Sequence, residues 1–157
     1  MKFKRVKLAA ISGLGAAIAI LALAWSSVSL ETALLMAPFG ASCVLLFSVP
    51  SSPLAQPKSV VFGHLLASLV GVVLGLFFDP SPWSMSAGVA FAVALMSYFR
   101  VTHPPAGADP LVILAGFKGP EFLLFPVLFG SVALVLIACV FHRYLTEIPY
   151  PARPENQ

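Results

Sequence analysis

The chain has 157 residues, 59% of them hydrophobic and only 10% charged, with a formal net charge of +3. That balance excludes an ordinary soluble domain and assigns the chain to the integral membrane class, with the lipid bilayer as its solvent. The small positive excess reports orientation in the membrane and not nucleic-acid binding.

Residues 1–7 carry Lys2, Lys4, Arg5 and Lys7 ahead of an apolar run from Leu8 to Leu30, long enough to span a hydrocarbon core of ~30 Å. Together they imitate a signal peptide. The length of the run and the five apolar segments behind it predict instead a retained helix, with the basic cluster on the cytoplasmic side. The next segment, Ala33 to Val49, is short and contains Pro38 and Gly40. It is followed by a loop from Val49 to Lys58, stiffened by Pro50, Pro53 and Pro57 and given polar groups by Ser51, Ser52 and Gln56. This loop reads either as a rigid connector or as a vestibule in which Lys58 raises the local anion concentration.

Two long segments come next, Val60 to Phe78 and Trp83 to Phe99. In the first, Gly63, Ala67, Gly71 and Gly75 recur every four residues, leaving a helix face bare of bulk that can touch a neighbouring backbone. Ala9, Gly13 and Ala17 repeat the pattern, as do Ser84, Gly88 and Ala92. Which stripe packs within the protomer and which serves a homo-oligomer is left open. His64, with Ser68 one turn later, borders the first stripe and offers either a helix-to-helix hydrogen bond or a ligand contact. Trp25, Trp83, Tyr98 and Tyr144 lie near predicted helix ends, where amphipathic aromatics settle at the membrane interface.

The stretch Thr102-His103-Pro104-Pro105-Ala106-Gly107-Ala108-Asp109 opens the second short segment, Pro104 to Phe117, which reaches only about 21 Å at roughly 1.5 Å per residue. Short segments of this kind are tilted, re-entrant or half helices. A proline pair ends one helix and suits the start of another. The free amides after Pro104, and those after Pro38, would then form a cradle for a small anion. His103 reads as gate or proton partner for that anion, or alternatively as a satisfied polar residue bonded across the bundle. An ionised Asp109 would repel an anion, so it is expected to orient His103 or to pair with Arg100 or Lys58. The last long segment, Phe122 to His142, ends with His142 and Arg143 at the interface, ahead of a polar tail, 143–157.

If both short segments cross, Lys58, Arg100, Arg143 and Arg153 join the basic N-terminus inside, leaving Lys118 outside. This bias predicts six crossings, with both termini cytoplasmic. Shifting the chain by 67 residues places Pro38 on Pro105, Gly40-Ala41-Ser42 on Gly107-Ala108-Asp109, and Val60-Val61-Phe62-Gly63 on Val127-Leu128-Phe129-Gly130. With three crossings per half, such a repeat is inverted in the membrane and points to a transport site between the halves. Other chemistries find little support. Three scattered His, no paired carboxylates and distant Cys43 and Cys139 predict neither a metal site nor a disulfide, and no cofactor. Ser42, Ser52 and His103 lack the spacing of a hydrolase motif, so no enzyme is expected. No phosphate-binding glycine loop is present.

Three strings in order, Pro38-Phe39-Gly40-Ala41-Ser42, the loop Pro50 to Lys58 followed by Gly63-His64, and Thr102 to Ala108, resemble the HPP family of small integral membrane proteins. The resemblance implies four membrane helices and transport; some plastid relatives are implicated in nitrite transport. Lys58 stands where relatives often carry Arg, preserving charge but not bidentate geometry. No counterpart of the CBS-type regulatory domain of some relatives occurs in these residues. The expectation is a single HPP-type all-α membrane domain over 1–157, with four long transmembrane helices and two short ones. It would pass a small inorganic anion, nitrite first, across a bacterial inner (plasma) membrane, by a passive or proton-coupled route. The alternative is a membrane ligand-binding or sensory module.

Overall fold

The computed structural model describes residues 2–31, 34–116, 119–146 and 148–152, all helix or connecting turn. Six α-helices are present there: α1 (Lys2–Ser29), α2 (Pro38–Ser48), α3 (Pro57–Phe77), α4 (Pro82–Tyr98), α5 (Asp109–Gly116) and α6 (Phe129–Leu145). A 3-10 turn, Pro104–Ala108, leads into α5, and the turns Pro120–Leu123 and Leu124–Leu128 lead into α6. Lys118 and Arg153 of the charge argument, and the segment ends Ala33 and Phe117, lie outside the described residues.

Proline begins nearly every segment after α1, at Pro38, Pro57, Pro82, Pro104 and Pro120. It does so because the first helical amide has no intrahelical partner to lose. Among the described residues, three stretches are long and apolar enough to cross a membrane: Arg5–Ser29, Pro57–Phe77 and Pro120–Leu145. The fourth expected long segment, Trp83 to Phe99, is present as α4, whose 17 residues reach only about 26 Å, and both of its ends are sharply capped. Ser81 and Ser84 form a reciprocal capping box at its start. At its end the Val101 amide donates to the Met96 carbonyl and the Arg100 amide to the Ser97 carbonyl, with Arg100 left-handed at φ 54°. This is a Schellman turn, completed by packing of buried Val101 and Met96.

Contacts order the bundle. Ser12, in the first half of α1, donates its hydroxyl to the Phe47 carbonyl near the end of α2, 2.8 Å away, while Ile20 further along α1 lies beside Ala37 and Gly40 at the start of α2, so these two helices are antiparallel. His142 near the end of α6 is bonded to Leu46, which puts the α6 C-terminus at that same end of the bundle. Helix α5 runs parallel to α3, with Gly63 beside His103, Ser68 bonded to Asp109, and Gly71 beside Pro110 and Ile113. Each short segment therefore connects opposite ends of the bundle.

Glycines permit this packing. A Cβ on Gly71 would come within 2.9 Å of the Pro110 Cα, and one on Gly88 within 3.0 Å of the Pro110 Cβ. Pro110 thus fills a notch between α3 and α4 that side chains would close. Gly63 and Ala67 are buried on the same face, while Gly75, nearer the end of α3, is half-buried. The α1 stripe behaves otherwise: Ala9, Gly13 and Ala17 are exposed, and α1 packs through Gly15, Ala19 and Leu23. His142 also departs from expectation. It is 2% exposed and donates from Nε2 to the Leu46 carbonyl at 2.8 Å, making it a buried cross-brace and not an interfacial residue. Trp25, Trp83, Tyr98 and Tyr144 are all exposed, as interface aromatics require.

Candidate functional site

Five polar side chains meet where α2, α3 and the 101–109 segment converge, and each is 0% exposed: Ser42, His64, Ser68, His103 and Asp109. The Schellman turn after α4 redirects the chain so that residues 101–103 lie against Gly63. A Cβ there would stand 2.8 Å from the His103 Cβ and 3.0 Å from the Val101 carbonyl oxygen. His103 is thereby pressed inward, with its Nδ1 donating to the Leu54 carbonyl at 2.8 Å. Its Nε2 is 2.8 Å from the Ser42 Oγ.

Ser42 also lies 2.8 Å from the His64 Nε2. On the other side of that ring, Nδ1 is 2.8 Å from the Asp109 Oδ2. Ser68, one turn beyond His64 on α3, donates to the same Oδ2 at 3.1 Å. Asp109 Oδ1 has no hydrogen-bond partner. The Phe39 ring meets His64 edge-on at 5.1 Å between centroids, and the two imidazoles are 4.9 Å apart. A hydrogen-bonded chain thus extends from Ser68, in the middle of α3, to the loop before it. Removing one partner from a buried ionisable pair of this kind costs about 3–5 kcal/mol.

At the two segment starts where an anion cradle was expected, the first amides are engaged within the chain. Pro104 and Pro105 carry no amide hydrogen, and the Ala106 amide donates to the His103 carbonyl at 3.0 Å. In α2, Pro38 has none, the Phe39 amide donates to Met36, and the Gly40 amide to Ala37. Asp109 bonds to neither His103 nor a cation, because Lys58 and Arg100 are exposed while the carboxyl is buried on His64. Pro38, Pro105 and Ala106 are buried, Thr102 and Gly107 half-buried, and Gly40 and Pro104 exposed.

Ser42, His64 and Asp109 have the order of a hydrolytic triad, a juxtaposition with no local sequence signal. Chemically it is closed. A nucleophilic serine needs its oxygen free to approach a carbonyl, whereas Ser42 Oγ is held between two imidazoles and is 0% exposed.

A secondary latch ties the C-terminal residues to the loop below the site. The buried Tyr150 hydroxyl donates to the Ala55 carbonyl at 2.9 Å, and the Ala152 amide to the Gln56 side-chain oxygen at 2.8 Å. Burial raises the Tyr150 phenol above its ordinary value, so it remains a donor.

A family model described as HPP, transmembrane region, matches residues 1–151. The chain belongs to the HPP transmembrane family. It is also similar to two transmembrane proteins of Dictyostelium discoideum. One is 33% identical over 125 residues, covering 74% of this chain and 44% of the relative; the other is 32% identical over 133 residues, covering 80% and 43%. The chain thus spans less than half the length of either relative. No solved structure matches it. This HPP chain is an integral membrane protein. In its His-Pro-Pro string, His103 turns into the bundle core, Pro104 faces out and Pro105 is buried. The Leu54 carbonyl was not legible from sequence as part of the site. Ser68 carried a signal, its i, i+4 position relative to His64 on one helix face.

Proposed function

We propose that this HPP-family protein carries a small inorganic anion across the membrane by a passive or proton-coupled route. The observation that carries this reading is the buried Ser42–His64–Asp109–His103 network in an otherwise apolar bundle. Ionisable groups inside a membrane are costly and mark ion paths and proton relays. Nitrite is the candidate substrate. It comes from the family resemblance, and its chemistry is compatible, since nitrite with one proton is a small neutral acid. His103 serves as the polar gate, and exposed Lys58 as an attractor near the end of the bundle. We read the closed serine as non-enzymatic.

The accompanying architecture is six crossings, four long and two short, in a plasma membrane of bacterial type. Arg5, Lys7, Lys58, Arg100 and Arg143 gather at the end of the bundle that holds the N-terminus, whereas Glu31, Asp79 and Glu121 sit at the other. The positive-inside bias makes the basic end cytoplasmic. In support of the inverted repeat, one groove of about 630 Å³ is lined by residues 67 apart from both halves: Pro38 and Pro105, Ala41 and Ala108, and Leu45 and Val112. On its inner side Ser42 and Asp109, also 67 apart, flank one imidazole. Gly63 approaches His103, and Gly130, its counterpart, approaches Phe39 and the Leu34 carbonyl.

Complete burial of the network favours a second reading, a membrane module that binds a ligand without passing it. Proteoliposomes separate the two. Nitrite flux that exceeds chloride flux and follows an imposed pH gradient supports the transporter; saturable binding with no flux supports the module.

A further inference from the structure

The hydrogen-bond directions in the buried network count its protons. The Leu54 carbonyl can only accept, so His103 Nδ1 carries a hydrogen. A neutral His103 then presents a bare Nε2, and the only donor 2.8 Å away is the Ser42 hydroxyl. Having given its one hydrogen to His103, Ser42 Oγ can only accept from His64 Nε2, also 2.8 Å away. With His103 neutral, that nitrogen is therefore protonated; the reverse arrangement, a doubly protonated His103 with the hydrogens running through Ser42 and His64 to an Asp109 carboxylate, holds the same number of protons but separates two full charges across a buried site, which burial penalises. If His64 were neutral and instead donated from Nδ1 to an Asp109 carboxylate, Nε2 would face Ser42 with a lone pair. One serine hydrogen cannot satisfy two bare imidazole nitrogens, and one of the 2.8 Å contacts would become repulsive.

We propose that Ser42, His64, His103 and Asp109 form a proton-binding site that holds one proton beyond the count of a carboxylate and two neutral imidazoles. The hydrogens then run one way, from Asp109 to His64 to Ser42 to His103 to the Leu54 carbonyl. The extra proton lies in the 2.8 Å contact between Asp109 Oδ2 and His64 Nδ1. Whether drawn on the oxygen or the nitrogen, it leaves His64 Nε2 protonated and the cluster electrically neutral. Without it the cluster carries one negative charge at 0% exposure with no cation beside it, which burial penalises heavily. The unpartnered Asp109 Oδ1 points the same way, since an unpaired carbonyl oxygen is cheaper to bury than an unpaired carboxylate oxygen. A second proton, on His103, would leave the serine hydrogen only the Pro38 carbonyl at 3.3 Å and give the site an unpaired positive charge.

No other titratable side chain faces the cluster among the described residues. Helix α2 brings Phe39 and Ser42, α3 brings His64 and Ser68, and α4 brings Met96 near Gly63. Cys43, next to Ser42, lies in the apolar core, and His142 of α6 is bonded to Leu46 and Thr146. Lys58 and Arg100 are exposed. The inference does not depend on transport, for a ligand-binding module with this geometry would hold the same proton.

The test is solid-state nitrogen NMR of the histidine-labelled full chain in lipid vesicles, with His103→Gln and His142→Gln spectra assigning the three rings. The expected result is that His64 carries its hydrogen on Nε2 at neutral pH while His103 carries its own on Nδ1. Raising the pH should strip one proton and bare a nitrogen of His64 or His103. Asp109→Asn should fix His64 in the Nε2–H form at every pH, because the amide donates to Nδ1 permanently. A bare Nε2 on His64 at neutral pH overturns the proposal, whether or not the Asn variant folds. So does an Asn variant that folds and titrates like the parent.

Discussion

Gly63 lies so close to His103 that a Cβ on residue 63 would stand 2.8 Å from the His103 Cβ. The obstructing atom is next to the backbone, and the Val101 carbonyl flanks it at 3.0 Å, so neither can swing away. Gly63→Ala is expected to push residues 101–103 off α3 and lose about 1–3 kcal/mol of stability, the usual cost of overpacking. Thermal unfolding in detergent measures this. A variant as stable as the parent would mean that the 101–103 segment is not held by α3.

Gly71→Leu should be worse. Its side chain would enter the notch filled by Pro110 and Ile113, and membrane helices associate through such close contacts. The expected outcome is poor accumulation of folded protein in the membrane, measured by monodispersity after extraction. Normal yield and thermal stability would remove this stripe from the packing argument.

Arg100 occupies the left-handed position of the Schellman turn at φ 54°. Glycine fits that conformation without the Cβ clash, which costs roughly 1–2 kcal/mol, although it adds freedom to the unfolded chain worth about 0.4–1 kcal/mol. Arg100→Gly is therefore expected to raise the unfolding temperature slightly and leave flux intact. A fall in stability would reveal a structural role for the guanidinium beyond the turn.

The loop bearing Ser52 is at the bundle end that holds Arg5 and Arg143. With the free Cys43 and Cys139 removed, Ser52→Cys should resist impermeant thiol reagents in right-side-out cells and react after permeabilisation. Labelling of intact cells would put that end outside and reject the proposed topology.

His103→Ala deletes the donor to Leu54 and the acceptor for Ser42 together. Nitrite flux should fall by about tenfold or more, the equivalent of ~1.4 kcal/mol or more, and its pH dependence should flatten. His103→Gln retains hydrogen bonding without imidazole proton exchange. If His103 carries protons, Gln resembles Ala; if it only braces the segment, Gln retains the flux and the pH profile. Parental behaviour by both variants would make His103 purely structural.

Much of this protein is local information. The membrane class follows from apolar run length, because lipid leaves a helix no other way to satisfy its backbone. The starts of α2, α3 and α4 at Pro38, Pro57 and Pro82 follow from proline's fixed geometry, although the apolar runs alone placed them at Ala33, Val60 and Trp83. The close approach at Gly71 follows from a bare helix face. The register of 67 residues matched Ser42 to Asp109, though nothing local said that both would reach His64. That convergence was decided by tertiary structure, through contacts separated by 22, 45 and 61 residues along the chain. The same is true of the errors. The amides after Pro38 and Pro104 looked free because a sequence does not report which turn carbonyl will accept them. His142 looked interfacial because its partner, Leu46, lies 96 residues away. Composition and period specify where helices form and that they lie in lipid; which buried donor meets which acceptor depends on how closely glycine faces let those helices approach.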